Sequence, residues 1–248
     1  MAITRKDAYI SGRVALEYLS AVRGIVGDRG AAILLRRANL ISSINRIFSY
    51  RHEPIFPQAG LAGLNKAVVD IFGEPGLRSV VYSAAKASFQ PGFADVQSVQ
   101  TAQRLLRGVW EREEGWTTLH ALYPATETRY IFIHLAVDTL AGALEIACGW
   151  QTAVSSDETH YYLAFENGGE CLPGVRRDSP SGFFTLGIIR GGMRYLLQTD
   201  DYPCREVECR ATGAPQCIFS IRKEKFSQSE QDTGKTRFLN FPGSLPAG

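Results

Sequence analysis

The stretch CREVECRATGAPQC, residues 204–217, contains three of the five cysteines in a chain of 248 residues. YPCREVECRA and CIFSIRK flank the turn-forming sequence TGAPQ, and this pattern predicts a closing β-hairpin. Two glutamates, Glu206 and Glu208, lie between the first two cysteines. Four explanations fit such a cluster: a disulfide, a catalytic thiol, a metal site, or ordinary packing of small apolar groups.

The composition is that of a globular protein, with 45% hydrophobic and 21% charged residues. The net charge of +2 and the lack of a dense Lys/Arg stripe argue against a nucleic-acid partner. We predict no signal peptide and no membrane span, because the longest apolar stretch is interrupted by His134, Asp138 and Glu145. A cytoplasmic location follows, and an odd number of cysteines in a reducing compartment disfavours the disulfide.

The first part of the chain has the hydrophobic periodicity of α-helices. Two helices are predicted over residues 12–48, with GDRG at 27–30 breaking the pattern between them. Three more are predicted over 61–72, 77–89 and 99–110, and HEPIFPQAG at 52–60 is predicted to be a loop.

The pattern changes after Trp116. WTTLHALY and RYIFIHLAV, on either side of PATET, predict a pair of strands, and residues 138–149 predict a short helix. HYYLAFE at 160–166 alternates as a strand does. SPSGFFTLGIIRGGMRYLL predicts a helix with Ser179 as N-cap and Pro180 in the first position. Its glycines weaken a helix, but they would permit close packing.

This order of elements predicts an α+β fold, with helices first and a mixed portion after them. We divide the chain into a mainly helical portion at 1–115, a mixed helix and sheet portion at 116–223, and a disordered polar tail at 224–248.

The spacing of residues in the hairpin allows a zinc site on one condition. Cys209 and Cys217 would lie on the two arms, while Glu206 and Cys209, three residues apart, would face opposite sides of a regular strand. Both can bind one metal only if the strand bends or bulges, and a fourth ligand must come from elsewhere. The alternative is that the two cysteines are simply buried.

EVECRATGAPQCIFSI resembles the end of the 4-vinyl-reductase domain family, also described as hydrocarbon-binding proteins. The family closes with a Glu-x-x-Cys, a glycine turn, and a Cys followed by an aromatic strand, here at Glu206, Cys209, Gly213, Cys217 and Phe219. GFFTLGIIRGGM at 182–193 is similar to the family's glycine-containing helix. GRVALEYLSAVRGIVGDRGAAILLRRANL, from Gly12, is similar to the helical hairpins that often precede the domain.

The resemblance implies a fold like TRAPP-complex subunits and the sensor domains of phenol- and xylene-responsive activators, with a zinc site beside an apolar pocket. It assigns Glu206, Cys209 and Cys217 as zinc ligands. Cys171 is the candidate for the fourth ligand, with Asp178 and Cys204 as substitutes. Four protein ligands would close the coordination shell, so the zinc would be structural.

Candidate ligand-binding residues are the aromatic side chains and histidines concentrated between residues 110 and 184. His120 and His134 lie on predicted strands, from which either could point into a pocket. Most of the candidate side chains could equally be buried in the hydrophobic core. The candidates are Trp110, Trp116, His120, Tyr130, Phe132, His134, Trp150, Phe183 and Phe184.

The sequence contains no dinucleotide-binding or phosphate-binding loop and no recognisable catalytic triad. The resemblance implies a carrier or sensor that binds a hydrophobic, aromatic or tetrapyrrole-like molecule, and it implies a homodimer. One alternative is an enzyme or accessory factor in (bacterio)chlorophyll 4-vinyl reduction, which needs a separate source of electrons. A second is a ligand-free scaffold similar to TRAPP subunits.

Overall fold

The computed structural model describes residues 9–50, 53–111, 114–166, 170–171 and 177–227. Over these residues the fold is α+β, as predicted, with eight α-helices and two small antiparallel sheets. The predicted tail falls mostly outside the described residues.

The helices of the first half lie close to the predicted positions. Gly27 takes a left-handed φ of 74° and kinks the first helix within the predicted GDRG break, and Gly73, with φ 71°, ends the third. A π-helix over Leu77–Tyr82 leads directly into the fourth α-helix, which begins at Ser83. The helices are α1 Gly12–Arg37, α2 Ile41–Ser49, α3 Gln58–Phe72, α4 Ser83–Phe93, α5 Gln97–Glu111, α6 Glu114–Leu122, α7 Ile131–Cys148 and α8 Phe183–Leu197.

Two antiparallel sheets complete the fold. β1 Tyr9–Ser11 pairs with β2 Pro54–Pro57, so the predicted loop at 52–60 contains a short strand that buries Phe56. The second sheet has the order β3-β4-β6-β5. Its strands are β3 Thr152–Ser156, β4 His160–Phe165, β5 Cys204–Glu208 and β6 Cys217–Arg222, which confirms the closing hairpin.

The predicted strand pair around PATET is wrong, because both segments are helical. The first lies in α6, and the second forms the start of α7, whose C-terminal half is the predicted helix at 138–149. α7 is buried on nearly all sides, so its apolar residues show no clear period from which helix and strand could be distinguished. His120 and His134 consequently lie on helices rather than on strands.

The start of α8 also differs from the prediction. The helix begins at Phe183 with Gly182 as N-cap, so Ser179 and Pro180 precede it. Its first amide groups donate instead to a distant carboxylate, that of Glu170. A side chain from another part of the fold therefore replaces the local cap that the sequence suggested.

A single core connects the two halves of the chain, with α8 packed between α4 and α7. At Gly187 and Gly191 the helices approach so closely that an added Cβ would lie 2.6 Å from the Tyr82 carbonyl oxygen and 2.5 Å from that of Lys86. The division at residue 115 stays a prediction, since α1 and α4 share this core with α7, α8 and the larger sheet.

The segment Thr128–Cys148, which includes α7, is long and apolar enough to cross a membrane by length and composition. However, 67% of its most apolar window is buried inside the protein. It therefore has the character of a core helix, and the cytoplasmic location stays a prediction.

Candidate metal centre

Four buried side chains, from Cys171, Glu206, Cys209 and Cys217, converge beneath the closing hairpin. One ligand atom of each lies within 4.8 Å of all the others. The Sγ atoms of Cys171 and Cys209 are 3.4 Å apart, yet all five cysteines are free thiols. Of the alternatives for the fourth ligand, Asp178 is exposed, and Cys204 is buried on β5 outside this group, which we call the Cys3Glu cluster.

An irregular strand makes this convergence possible. The β5–β6 register shifts between Glu206 and Glu208, and Cys209 lies beyond the end of β5, just before a 3-10 turn over Arg210–Thr212. The strand alternation that would have separated Glu206 from Cys209 is thus interrupted between them, as the metal hypothesis requires. Cys217 opens β6, and its Sγ accepts a hydrogen bond from the Arg210 amide at 3.4 Å.

The ionisable groups of the cluster shift one another's pKa values. Burial raises the pKa of Glu206 to about 10, and a hydrogen bond to Cys209 raises the pKa of Cys171. Hydrogen bonds from Cys171 and Cys217 lower the pKa of Cys209. A divalent cation bound by the four groups would favour the ionised form of each of them.

The donor set and its spacing fit zinc. Zinc–sulfur bonds of about 2.3 Å place two ligands of a tetrahedron about 3.8 Å apart, which these atoms can reach with small shifts. Glu206 Oε2 accepts a hydrogen bond from the Gly182 amide at 2.8 Å, whereas its buried Oε1 has no hydrogen-bond partner among the described residues. A bound cation would satisfy this buried carboxylate oxygen, so its position beside three thiols fits a metal ligand.

Glu170, which the sequence analysis missed, holds the neighbouring helix in place. Its two carboxylate oxygens accept hydrogen bonds from the Phe184 amide and from the Thr185 hydroxyl at 2.5 and 2.8 Å. Burial raises the pKa of this carboxyl group to about 7, against the lowering effect of those donors. Its position next to Cys171 was the only available sequence signal. Glu170 and Glu206 together tie the start of α8 to the Cys3Glu cluster.

A cavity of about 330 Å³ lies directly beside the cluster. It separates α3 from the residues around Cys171, and its lining is mainly apolar. The cavity is lined by Ala59, Ala62, Gly63, Asn65, Lys66, Leu77, Glu170, Cys171, Arg177, Ser181 and Ala211. None of the eight predicted ligand-binding residues whose side chains the structure describes is among them.

Three of those predicted residues, Trp150, Phe183 and Phe184, lie in the core behind the cluster. Trp150 contacts Phe184 edge-on, with ring centroids 6.3 Å apart, and Tyr18 contacts the same ring at 4.8 Å. The Tyr18 hydroxyl and Trp150 Nε1 are buried without a hydrogen-bond partner among the described residues. Tyr18 was not among the predicted residues. In the sequence it is one position in an amphipathic helix, and such a position does not show that its ring contacts Phe184.

The other predicted residues form two separate groups. Trp116 stacks on His120 and contacts Phe132, with centroids 5.9 and 5.1 Å apart, and His120 is exposed. His134 Nδ1 lies 3.2 Å from both Thr126 Oγ1 and the Tyr161 hydroxyl.

Tyr130 is buried at the start of α7, and the side chain of Trp110 is outside the described part of the structure. The structure thus brings the metal candidates together but disperses the aromatic ones, whose role as ligand contacts stays a prediction.

The sequence matches no protein-family model and no curated protein. Similar solved structures include an H-NOX protein from S. oneidensis in the Fe(II)NO ligation state, at 12% identity and a TM-score of 0.45, covering 88% of this chain and 100% of that one. The phenol-responsive sensory domain of the transcription activator PoxR with phenol is 14% identical, with a TM-score of 0.39 over 81% of this chain and 96% of that one. A Cs H-NOX mutant with 4-cyano-L-phenylalanine is 10% identical, with a TM-score of 0.42 over 88% and 100%. At these values the similarity says nothing about what this chain binds, so its function has to be inferred from its own residues.

Proposed function

We propose that this protein binds a small, mostly apolar molecule in the cavity beside the Cys3Glu cluster, as a carrier or sensor, and that the cluster holds a structural zinc ion. One observation carries the proposal: Cys171 belongs to the cluster and also lines the cavity. A metal bound by Cys171 would therefore fix one wall of the ligand site.

Zinc would act here as a cross-link. Its four protein ligands leave no position for water or substrate, which is the arrangement of structural sites. Glu206, Cys209 and Cys217 belong to the β5–β6 hairpin, and Cys171 comes from the segment before α8. Joining them would fix the hairpin to the rest of the core, with no role for the metal in a reaction.

The open cavity favours ligand binding over the scaffold alternative. A scaffold has no need of space, and the protein's own side chains would be expected to fill it. The volume of about 330 Å³ lies at the lower end of the range for small-molecule pockets, roughly 300–1,000 Å³. That size suits a ligand of one ring better than a tetrapyrrole, and so gives no support to the vinyl-reductase alternative.

The test is the mass of the gently purified protein under native conditions, compared with its denatured mass. We expect an excess of one zinc ion per chain and, beyond it, the mass of a co-purified small molecule. The substitution Ala62→Phe places a large side chain at the cavity wall, so it should abolish the second excess and leave the zinc in place. The carrier or sensor role would be contradicted if the purified protein contained zinc but no co-purified molecule and bound none of a set of small apolar probes.

The predicted homodimer has a candidate surface on α1, α2 and α3. Seven of the twelve exposed large apolar side chains among the described residues lie on or directly beside these helices, at Ile25, Ile33, Ile41, Phe48, Tyr50, Ile71 and Phe72. A second copy of this chain packed against these helices would remove such side chains from water, which is the driving force of most protein association.

We expect light scattering to give the mass of a dimer, and the double substitution Ile33→Glu, Phe48→Glu to give that of a monomer. Ile146→Glu is the matched control, because Ile146 is equally apolar and 67% exposed but lies on α7. A monomeric wild-type protein at micromolar concentration would contradict the homodimer.

A further inference from the structure

The polar side chains that line the cavity are almost all engaged with the protein itself. Lys66 Nζ pairs with Asp70 at 2.9 Å, and an Arg177 guanidinium nitrogen lies 3.3 Å from a Glu74 carboxylate oxygen. Each cavity-lining cation therefore already has a carboxylate partner. An anionic ligand would have to compete with these carboxylates for the two cations, so the cavity favours a neutral ligand.

Glu170 and Ser181 are engaged as well. Both oxygens of Glu170 accept hydrogen bonds from the first turn of α8, and the Ser181 hydroxyl lies 3.4 Å from Cys171 Sγ. Neither group is free to hold a ligand without weakening the support of the Cys3Glu cluster.

Asn65 is the exception. This side chain lies on α3, lines the cavity and is only 4% exposed, and its buried Oδ1 accepts no hydrogen bond from any described residue. A buried amide oxygen without a donor is costly, and few such groups persist in native proteins without a reason. The cavity beside it is far larger than the ~15 Å³ that one water needs.

We propose that Asn65 is the specificity-determining residue of this cavity, and that its amide oxygen accepts a hydrogen bond from a neutral ligand carrying one hydroxyl or N–H donor on an otherwise apolar body. The inference rests on the proposed ligand-binding function and adds the chemistry of the ligand. The donor would reach Asn65 through a small rotation of the amide, while the apolar body would lie against Leu77, Ala62 and Ala211.

The experiment compares three probes of similar size by calorimetric titration of the zinc-loaded protein. Benzyl alcohol donates a hydrogen bond, benzyl methyl ether only accepts one, and ethylbenzene does neither. We expect benzyl alcohol to bind about tenfold more tightly than the other two, the factor that corresponds to one net hydrogen bond. In Asn65→Leu, which keeps the shape but removes the oxygen, the preference should disappear.

Two further measurements separate the possible outcomes. Asn65→Leu should raise the thermal midpoint of the ligand-free protein, because it removes the unpartnered amide. Ala62→Phe should abolish the binding of all three probes. Two results would show that Asn65 does not determine specificity although the cavity is a ligand site. The first is that Ala62→Phe blocks binding while Asn65→Leu keeps the preference for benzyl alcohol. The second is that the wild-type protein binds all three probes without a preference. If no probe binds to the wild-type protein, the proposed function and this inference are both overturned.

Discussion

Replacing Cys209 by serine is expected to reduce the zinc content from one ion per chain to nearly none and to destabilise the fold by more than about 4 kcal/mol. The Cys209 side chain is fully buried and lies within 4.8 Å of the other three ligand atoms. A serine hydroxyl at this position binds zinc poorly, and three remaining ligands leave the hairpin without its cross-link. Elemental analysis gives the metal content, and urea unfolding gives the change in stability.

Cys204→Ala is the matched control for this substitution. Cys204 is buried on β5 two residues before Glu206, but it lies outside the cluster. We expect the control to retain one zinc ion and to lose only about 1 kcal/mol of stability, as small core truncations do. Full metal occupancy and an unchanged midpoint in Cys209→Ser would show that the cluster is not the metal site.

The second large effect is expected from Gly191→Ala at the α4–α8 interface. The new Cβ would lie 2.5 Å from the Lys86 carbonyl oxygen and 2.8 Å from Phe89 Cβ, both in α4. A backbone carbonyl cannot turn aside as a flexible side chain can, so the two helices must separate. We expect a loss of about 3 kcal/mol, at the upper end of the usual cost of overpacking.

Gly108→Ala provides the comparison, because Gly108 is also within a helix but has nothing within 4 Å of an added Cβ. There the substitution should stabilise the protein by roughly 0.5–1 kcal/mol, which is the helix propensity of alanine over glycine. Thermal or urea unfolding of the two variants measures both effects. Similar stabilities for Gly191→Ala and the wild type would mean that α4 and α8 are not packed as closely as the structure has them.

The cysteine-rich hairpin shows what local sequence can predict. Its turn residues and β-branched strands act over a few positions, so the hairpin between Cys204 and Arg222 could be placed in advance. The need for a bulge between Glu206 and Cys209 followed from strand alternation alone, and the register shift lies at that place. Cys171, in contrast, was a candidate only through the family resemblance, because it is 38 residues from Cys209 in sequence.

The predicted secondary structure was wrong where a helix is buried on most sides, because such a helix has no clear hydrophobic periodicity. α7 is apolar around most of its circumference, so its residues looked equally suited to a strand. The start of α8 was misplaced because its cap is Glu170, which no rule about neighbouring residues could select. The aromatic candidates were chosen on composition, which measures how many rings a segment contains and not where they point.

The sequence by itself determined the α+β class, the helical first half, the closing hairpin and the three hairpin residues that a metal would need. These depend on periodicity and turn chemistry, which act between near neighbours. Only the tertiary structure decided that Cys171 joins them, that Glu170 caps α8, and that a cavity with Asn65 on its wall lies beside the cluster. Such features depend on how α3, α8 and the hairpin pack together, and that packing reflects contacts between residues far apart in the chain.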